Sequence, residues 1–244
     1  MAPLRGLDLR KGDSDNESDE LQACDSADEP LTDRTARLWF GLTALAVFTG
    51  IIVQVFVSAN AQAEFFHTAG ARVFNVFCFF TIQSNLIVGV TSLLLALNPN
   101  RSSTVFNTFR LTGVVAIAVT GIVFHAVLAR LLDLESWALV ANNLVHTVVP
   151  VMAVLGWLMF GPRGRTSRRV MWLSVLFPVA WLIFVLIRGP IVHFYPYPFV
   201  DVIKLGYARV LINCVWVAVL YLGMAAGAAA LDRRLARTSV TEGS

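Results

Sequence analysis

Polar side chains interrupt one of the long apolar stretches of this sequence, at spacings that match a helix. Thr81, Ser84 and Asn85 lie three and four residues apart, so on a helix they share one face. An unpaired hydroxyl or amide in an apolar environment costs several kcal/mol, so such a face needs polar neighbours. The spacing therefore predicts that this face lines a polar cavity.

A second cluster places two amides one helical turn before a histidine. Asn142 and Asn143 precede His146 by four and three residues, and an amide beside an imidazole can fix its tautomer. A threonine hydroxyl within hydrogen-bond reach of such a histidine forms a nucleophile–base pair. We therefore interpret Thr81 as the candidate nucleophile and His146 as the candidate general base. The side-chain amides of Asn85 and Asn142 are candidate donors to an oxyanion.

The composition places both clusters in an integral membrane protein. Of the 244 residues, 57% are hydrophobic and 14% are charged, which is more apolar than a typical soluble domain. Six apolar runs approach or exceed the ~20 residues that cross a bilayer. They cover approximately Leu38–Ser58, Val73–Leu97, Phe109–Leu132, Trp137–Phe160, Val170–Ile187 and Gly206–Leu231. The predicted fold is all-α, a bundle of six transmembrane helices within residues 36–232.

Two polar tails flank the predicted bundle. Residues 1–35 are strongly acidic and poor in large apolar side chains, which is typical of a disordered, cytosolic segment. The tail has no basic segment followed by an apolar core, so we do not interpret it as a signal peptide. Residues 233–244 form a short basic and polar tail.

The distribution of basic residues predicts the orientation of the bundle. With the N-terminus in the cytosol, fourteen of the 19 Lys and Arg residues fall on the cytosolic side. Only Arg72, Arg130, Arg188, Lys204 and Arg209 fall outside. We therefore expect a multi-pass plasma-membrane protein with both termini in the cytosol.

This orientation gives the intramembrane polar residues a common depth in the outer half of the bundle. Ionisable residues inside a membrane are candidates for a functional site. The candidates for orienting groups or oxyanion donors in the cavity are Ser84, Asn85, His125, Asn142 and Asn213, and those for substrate binding are Arg188, His193 and Arg209. An apolar cavity near the outer leaflet suits a substrate with an acyl chain, so acyl-ester hydrolysis is the best-matched reaction class.

The outer segment from Arg188 to Lys204 is rich in proline and aromatic residues. Its tyrosines fit anchoring at the membrane interface, and prolines stiffen such a loop. Two interpretations stay open, a lid over the cavity or an interfacial aromatic belt. Arg188 and Arg209 either pair with a substrate carboxylate or extend to the interface.

At these residues the chain resembles a bacterial family of six-helix integral membrane proteins. The resemblance rests on Phe80-Thr81-Ile82-Gln83-Ser84-Asn85-Leu86, on Asn142-Asn143-Leu144-Val145-His146-Thr147-Val148-Val149-Pro150 and on Tyr195-Pro196-Tyr197-Pro198-Phe199-Val200-Asp201. It covers essentially all of the chain from Arg34 to Arg234.

More remotely, the chain is similar to the androgen-induced and androgen-dependent TFPI-regulating protein family, which comprises membrane threonine hydrolases that cleave fatty-acid esters of hydroxy fatty acids. The resemblance implies that the nucleophilic threonine of that family matches Thr81 and that its histidine matches His146. The stretch Ile82-Gln83-Ser84-Asn85 is more polar than its counterpart in the animal proteins.

Two further functions remain open from the sequence. A metal-dependent hydrolase would use His125, His146 and His193, with Asp201 as a further ligand, although the spacing lacks a helical His-x-x-x-His pattern. A receptor, lipid-binding protein or small transporter would use the same cavity without turnover. The sequence predicts no bound metal, no cofactor and no nucleic-acid partner. The expected partners are membrane lipids and a lipid-like ester or other amphipathic small molecule.

Overall fold

The computed structural model describes residues 31–62 and 65–241, and every regular element within them is helical. Six helical stretches are long and apolar enough to cross a membrane, which confirms the all-α prediction and its helix count. The first to sixth spans are Asp33–Asn60, Phe80–Leu97, Thr104–Leu131, Ser136–Phe160, Arg168–Val192 and Val202–Ala236. Of the tail predicted to be disordered, residues 1–35, residues 1–30 lie outside the described residues, and residues 31–35 belong to the first helix.

The α-helices themselves follow closely from the apolar runs. They are Leu31–Asn60, Ala69–Val76, Phe80–Leu97, Thr104–Val123, Ser136–Asn143, Val149–Phe160, Arg168–Ser174, Leu176–Val192 and Val202–Thr241. Short π-helical turns occupy Phe124–Leu128 and Leu144–Val148, and 3₁₀ turns occupy Ala129–Leu131 and Pro198–Val200. The first and last helices extend beyond the boundaries predicted for the bundle, residues 36 and 232.

The third span lies at the centre of the bundle, because it is the most buried of the six spans. The sixth span is the least buried. Close helix packing depends on small residues, as in other membrane bundles. A Cβ at Gly89 of the second span would lie 2.8 Å from Cγ1 of Val47 in the first. Large apolar side chains such as Ile52 and Trp216 cover the outside of the bundle, as expected for surfaces that face lipid.

The second predicted helix is interrupted, and this is the main departure from the predicted runs. A short helix ends at Val76, and a new helix begins at Phe80 after an extended residue, Phe79. Side chains bind the backbone groups that the break leaves open. Trp181 Nε1 donates to the Cys78 carbonyl at 3.0 Å, and Gln83 Nε2 donates to the Phe77 carbonyl at 3.0 Å. Side-chain hydrogen bonds from the fifth span and from the new helix therefore stabilise the break.

Aromatic packing accounts for the position of the break. Phe79 packs edge-on against Tyr197, with ring centroids 5.6 Å apart. The neighbouring Phe80 stacks on Phe177 at 5.0 Å and meets Trp181 edge-on at 5.2 Å. A continuous helix would direct consecutive rings about 100° apart on one cylinder. The extended residue directs both rings into separate apolar contacts instead.

The third and fourth spans each contain one π-helical turn, and the two turns face each other. The ring of Phe124 in the first π turn stacks on the ring of His146 in the second, with centroids 4.1 Å apart. Such turns are rare and occur frequently at functional sites. Gly121 permits the close approach, because a Cβ there would lie 3.2 Å from Pro150 Cβ.

Residues 193–201 connect the last two spans and fold over one end of the bundle, called the loop end below. Gly189 accommodates this loop, because the Cε1 atom of Tyr195 lies only 2.1 Å from where a glycine Cβ would stand. Asn213 Nδ2 of the sixth span donates to the Phe199 carbonyl at 2.9 Å. The loop is thus fastened to both spans that it joins.

The opposite end of the bundle is held by a buried carboxylate. Asp232 of the sixth span accepts hydrogen bonds from the backbone amides of Gly164 and Thr166, at 3.0 and 2.8 Å. The buried guanidinium of Arg110 donates to the Gly161 carbonyl. The connection between the fourth and fifth spans is therefore tied to the third and the sixth.

Candidate functional site

Thr81 lies in the first turn of the helix that follows the break, and its side chain is buried. Its Oγ1 is 3.3 Å from Nε2 of His146, across 65 residues of sequence. The structure therefore brings the predicted nucleophile and base into contact.

The imidazole of His146 is oriented by a backbone carbonyl. His146 Nδ1 lies 3.2 Å from the carbonyl oxygen of Asn142, one turn earlier on the same span. A carbonyl only accepts, so Nδ1 carries the proton and the neutral ring presents a lone pair at Nε2. The stacked ring of Phe124 fixes the plane of the imidazole. His146 is therefore held in the tautomer that a general base needs.

Tyr197 of the loop is the third residue of the site. From the sequence, its position predicted only a lid or an aromatic belt. Its hydroxyl lies 3.0 Å from Oγ1 of Thr81 and 3.1 Å from the Thr81 backbone nitrogen. Burial raises the pKa of Tyr197 to about 12, against the lowering effect of its hydrogen bonds to Thr81. The phenol is therefore protonated at neutral pH. The sequence signal was its position in the Tyr-Pro-Tyr-Pro motif, but the contact spans 116 residues.

Ser84 and Asn85 are completely buried but serve the backbone rather than the cavity. Ser84 Oγ donates to the carbonyl of Phe80, four residues earlier. Asn85 Nδ2 donates to the carbonyls of Thr81 and Val145, at 2.8 and 3.2 Å. Because both amide hydrogens are committed, Asn85 links the helix of Thr81 to the turn of His146 and is not available as the predicted oxyanion donor.

The other predicted orienting residues also differ in their roles. His125 is exposed and its Nε2 lies 3.1 Å from Thr147 Oγ1, away from Thr81. Asn142 acts through its backbone carbonyl, and Asn213 fastens the loop. The ring of His125 meets that of Phe124 edge-on, with centroids 5.1 Å apart, while the Phe124 ring itself stacks on His146.

The predicted substrate-binding residues lie at the loop end but do not converge on Thr81. Arg188 Nη2 donates to Oδ1 of Asn75 at 3.0 Å. His193 and Arg209 are exposed, and His193 ends the fifth span in the left-handed conformation. Among the described residues, no group of three His, Cys, Asp or Glu side chains is placed to hold a metal ion.

Two cavities of different character meet at the site. The first has a volume of about 160 Å³ and is almost wholly apolar, with walls from the second, third, fifth and sixth spans. The second, of about 520 Å³, opens at the loop end and also has a mostly apolar lining. It is called the polar cavity below because the polar side chains of Gln54, Arg72 and Asn75 contribute to its wall. The residues that line both cavities are Thr81, Phe124, Leu128, His146 and Tyr197.

The apolar cavity reaches the surface of the bundle between the fifth and sixth spans. Val179 and Leu222 line it and are also exposed on the outside. A long apolar group therefore fits with one end at Thr81 and the other towards the surface that faces lipid. The polar cavity gives the opposite side of Thr81 access to water.

The geometry defines a hydroxyl nucleophile with an oriented imidazole base at a boundary between apolar and polar space. Comparisons with protein-family models, with curated proteins and with solved structures find no match to this chain.

Proposed function

We propose that this protein is a multi-pass membrane hydrolase that cleaves acyl esters of lipid-like molecules, with Thr81 as nucleophile and His146 as general base. The observation that carries the proposal is the 3.3 Å contact between Thr81 Oγ1 and His146 Nε2 at the boundary of the two cavities. The resemblance to membrane threonine hydrolases at both residues supports the same assignment.

The first half of the reaction forms an acyl-threonine. Thr81 Oγ1 attacks the ester carbonyl carbon while its proton passes to His146 Nε2, and the carbonyl oxygen becomes an oxyanion. Collapse of this intermediate breaks the bond to the alcohol oxygen. The proton on Nε2 moves to that oxygen, and the alcohol leaves.

The second half hydrolyses the acyl-threonine. A water molecule from the polar cavity attacks the carbonyl carbon and gives a proton to Nε2. Collapse breaks the bond to Thr81 Oγ1, which takes the proton back, and the carboxylic acid is released. The acyl chain occupies the apolar cavity throughout.

The orientation predicted from the basic residues completes the proposal. With both termini in the cytosol, the loop end and the polar cavity lie at the outer face of the plasma membrane. Arg72, Arg188 and Arg209 then lie on the outer side, and the substrate is taken from the outer leaflet.

Purified full-length protein in nanodiscs tests this assignment. We expect a fluorophosphonate probe to label the wild type and a 4-nitrophenyl ester of a medium-chain fatty acid to be hydrolysed. Thr81→Ala and His146→Ala lower hydrolysis by about 1,000-fold or more, because nucleophile and base act as a unit.

Two matched variants control for the loss of a threonine or a histidine side chain. Thr43 is a buried threonine of the first span that lines neither cavity, and His125 is an exposed histidine whose Nε2 lies 3.1 Å from Thr147 Oγ1. Thr43→Ala and His125→Ala retain activity and labelling. Undiminished labelling of Thr81→Ala overturns the assignment, and a bound lipid without turnover in the wild type supports the non-catalytic alternative.

A further inference from the structure

We propose that the Tyr197 hydroxyl, held in place by the Thr81 backbone N–H, donates a hydrogen bond to the oxyanion of the reaction. The inference deepens the proposed function and rests on it. It replaces the side-chain amides that the sequence suggested for this role with one phenol from the loop.

The direction of each hydrogen bond in the site follows from a count of protons. His146 Nε2 carries a lone pair, so the Thr81 hydroxyl donates to it. Thr81 Oγ1 then has no hydrogen left for Tyr197, so the phenol O–H must donate to Oγ1 over 3.0 Å. The Thr81 N–H donates to the phenol oxygen over 3.1 Å. Tyr197 is thus a donor aimed at the reacting atom.

The Thr81 N–H that holds the phenol oxygen is available because of the helix break. The first four N–H groups of a helix have no partner within it, and Thr81 is the second residue of its helix. Its N–H is therefore free of the helix and points towards Tyr197. The positive end of the helix dipole lies at the same place and favours a developing negative charge.

Tyr197 can change partner during the attack without moving its ring. As Oγ1 becomes an ester oxygen it becomes a poorer acceptor, and the phenol O–H rotates about its C–O bond to the new oxyanion. The Thr81 N–H keeps its hydrogen bond to the phenol oxygen and so holds the phenol in place. No covalent bond to Tyr197 forms or breaks, and its proton stays on the phenol.

The ring of Tyr197 is held in place by its neighbours. It stacks on Phe199 with centroids 5.3 Å apart, and it packs against Phe79 and Trp181 at 5.6 and 5.7 Å. A donor fixed before the reaction needs no reorganisation when charge develops, which is why such groups contribute strongly to catalysis. The amide hydrogens of Asn85, by contrast, are both bound elsewhere.

The Tyr197→Phe variant removes the donor and keeps the ring. We expect kcat for the 4-nitrophenyl ester to fall about 100- to 1,000-fold with KM and melting temperature nearly unchanged. Tyr195→Phe is the matched control, because Tyr195 is a buried tyrosine of the same loop whose hydroxyl has no partner among the described residues. It retains wild-type kcat.

A thionoester separates oxyanion binding from simple positioning of Thr81. Its sulfur is a weak acceptor, so a lost oxyanion donor slows the oxoester much more than the thionoester. We expect the wild-type to Tyr197→Phe ratio of kcat to be much smaller for the thionoester. If Tyr197→Phe does not fold, Tyr197→His takes its place, because histidine keeps a ring N–H donor. Its kcat is compared with that of the wild type on the same pair of esters. We expect this variant to retain the preference for the oxoester.

The outcomes distinguish this inference from the proposed function. Equal kcat of Tyr197→Phe and Tyr195→Phe, or equal ratios for the two esters, overturns the role of Tyr197 while Thr81→Ala remains inactive. Failure of the proposed function itself appears earlier, as wild-type protein without turnover or as labelling that survives Thr81→Ala.

Discussion

The hydroxyl of Thr81 does not donate to the carbonyl four residues earlier, unlike other buried hydroxyl groups of this bundle. Thr43, Ser84 and Thr91 each donate to the carbonyl four residues earlier, which is the usual partner of a hydroxyl within a helix. The helix of Thr81 begins only one residue before it, and the carbonyl four residues back belongs to Phe77, which accepts from Gln83. The hydroxyl of Thr81 is therefore left for His146 and Tyr197.

Asn85 carries the cross-link between the helices of the nucleophile and the base. Asn85→Ala leaves the buried carbonyl of Val145 without this donor, so we expect the free energy of unfolding to fall by about 1–3 kcal/mol. The measurement is denaturant unfolding in detergent. Ser84→Ala, at an equally buried neighbour with only a local bond, changes it little, and equal effects of the two variants contradict this assignment.

At the scale of elements, the site depends on two interruptions of regular helix and on one loop. The break before Phe80 exposes the Thr81 N–H, the π turn at Leu144–Val148 directs His146, and the loop supplies Tyr197. Each element contributes one group to the site. Displacement of the loop alone should therefore reduce catalysis without unfolding the bundle.

Gly189→Ala tests the contribution of the loop. The added methyl group would collide with the ring of Tyr195, so residues 193–201 must shift and carry Tyr197 with them. Because small displacements of a catalytic group are costly, we expect kcat to fall by up to about 100-fold. Gly223→Ala is the control, since nothing lies within 4 Å of that position. Wild-type kcat in Gly189→Ala would contradict the loop's role.

These elements also explain how far the sequence could predict the structure. The six spans follow from apolar length, and the contact between Thr81 and His146 follows from polar spacing and their shared depth in the bundle. The break at residues 77–79 could not be predicted, because Phe77-Cys78-Phe79-Phe80 is a continuous apolar run in the sequence. In the structure, packing against the rings of Tyr197 and Trp181 interrupts the helix there. Tyr197 was missed for the same reason, since loop tyrosines normally anchor at the interface and its partner is distant in sequence.

At the scale of the whole molecule, the two ends of the bundle have separate tasks. The loop end contains Tyr197 and the polar cavity, while Asp232 fastens the connection at the other end. An even number of spans places the start of the first span and the end of the sixth at the Asp232 end. The basic residues of that end, among them Arg163, Arg165 and Arg168, predict that it faces the cytosol.

Reporter fusions test this orientation. Green fluorescent protein fused to either terminus should be fluorescent and alkaline phosphatase inactive, because the basic residues predict that the termini lie in the cytosol. Phosphatase inserted after Asp133, between the third and fourth spans, should be active. The reverse pattern would place the polar cavity on the cytosolic side and would assign the substrate to the inner leaflet.

The acceptor that fixes His146 has a consequence for genetics. In many hydrolases a carboxylate side chain orients the histidine and is found by mutation, whereas here the orienting group is the peptide carbonyl of residue 142. Every amino acid supplies that carbonyl, so no codon change at position 142 deletes it. A saturation screen for inactive variants would recover Thr81, His146 and Tyr197. It would not detect the carbonyl oxygen of residue 142, which sets the histidine tautomer. Only a backbone ester substitution would reveal the role of that oxygen.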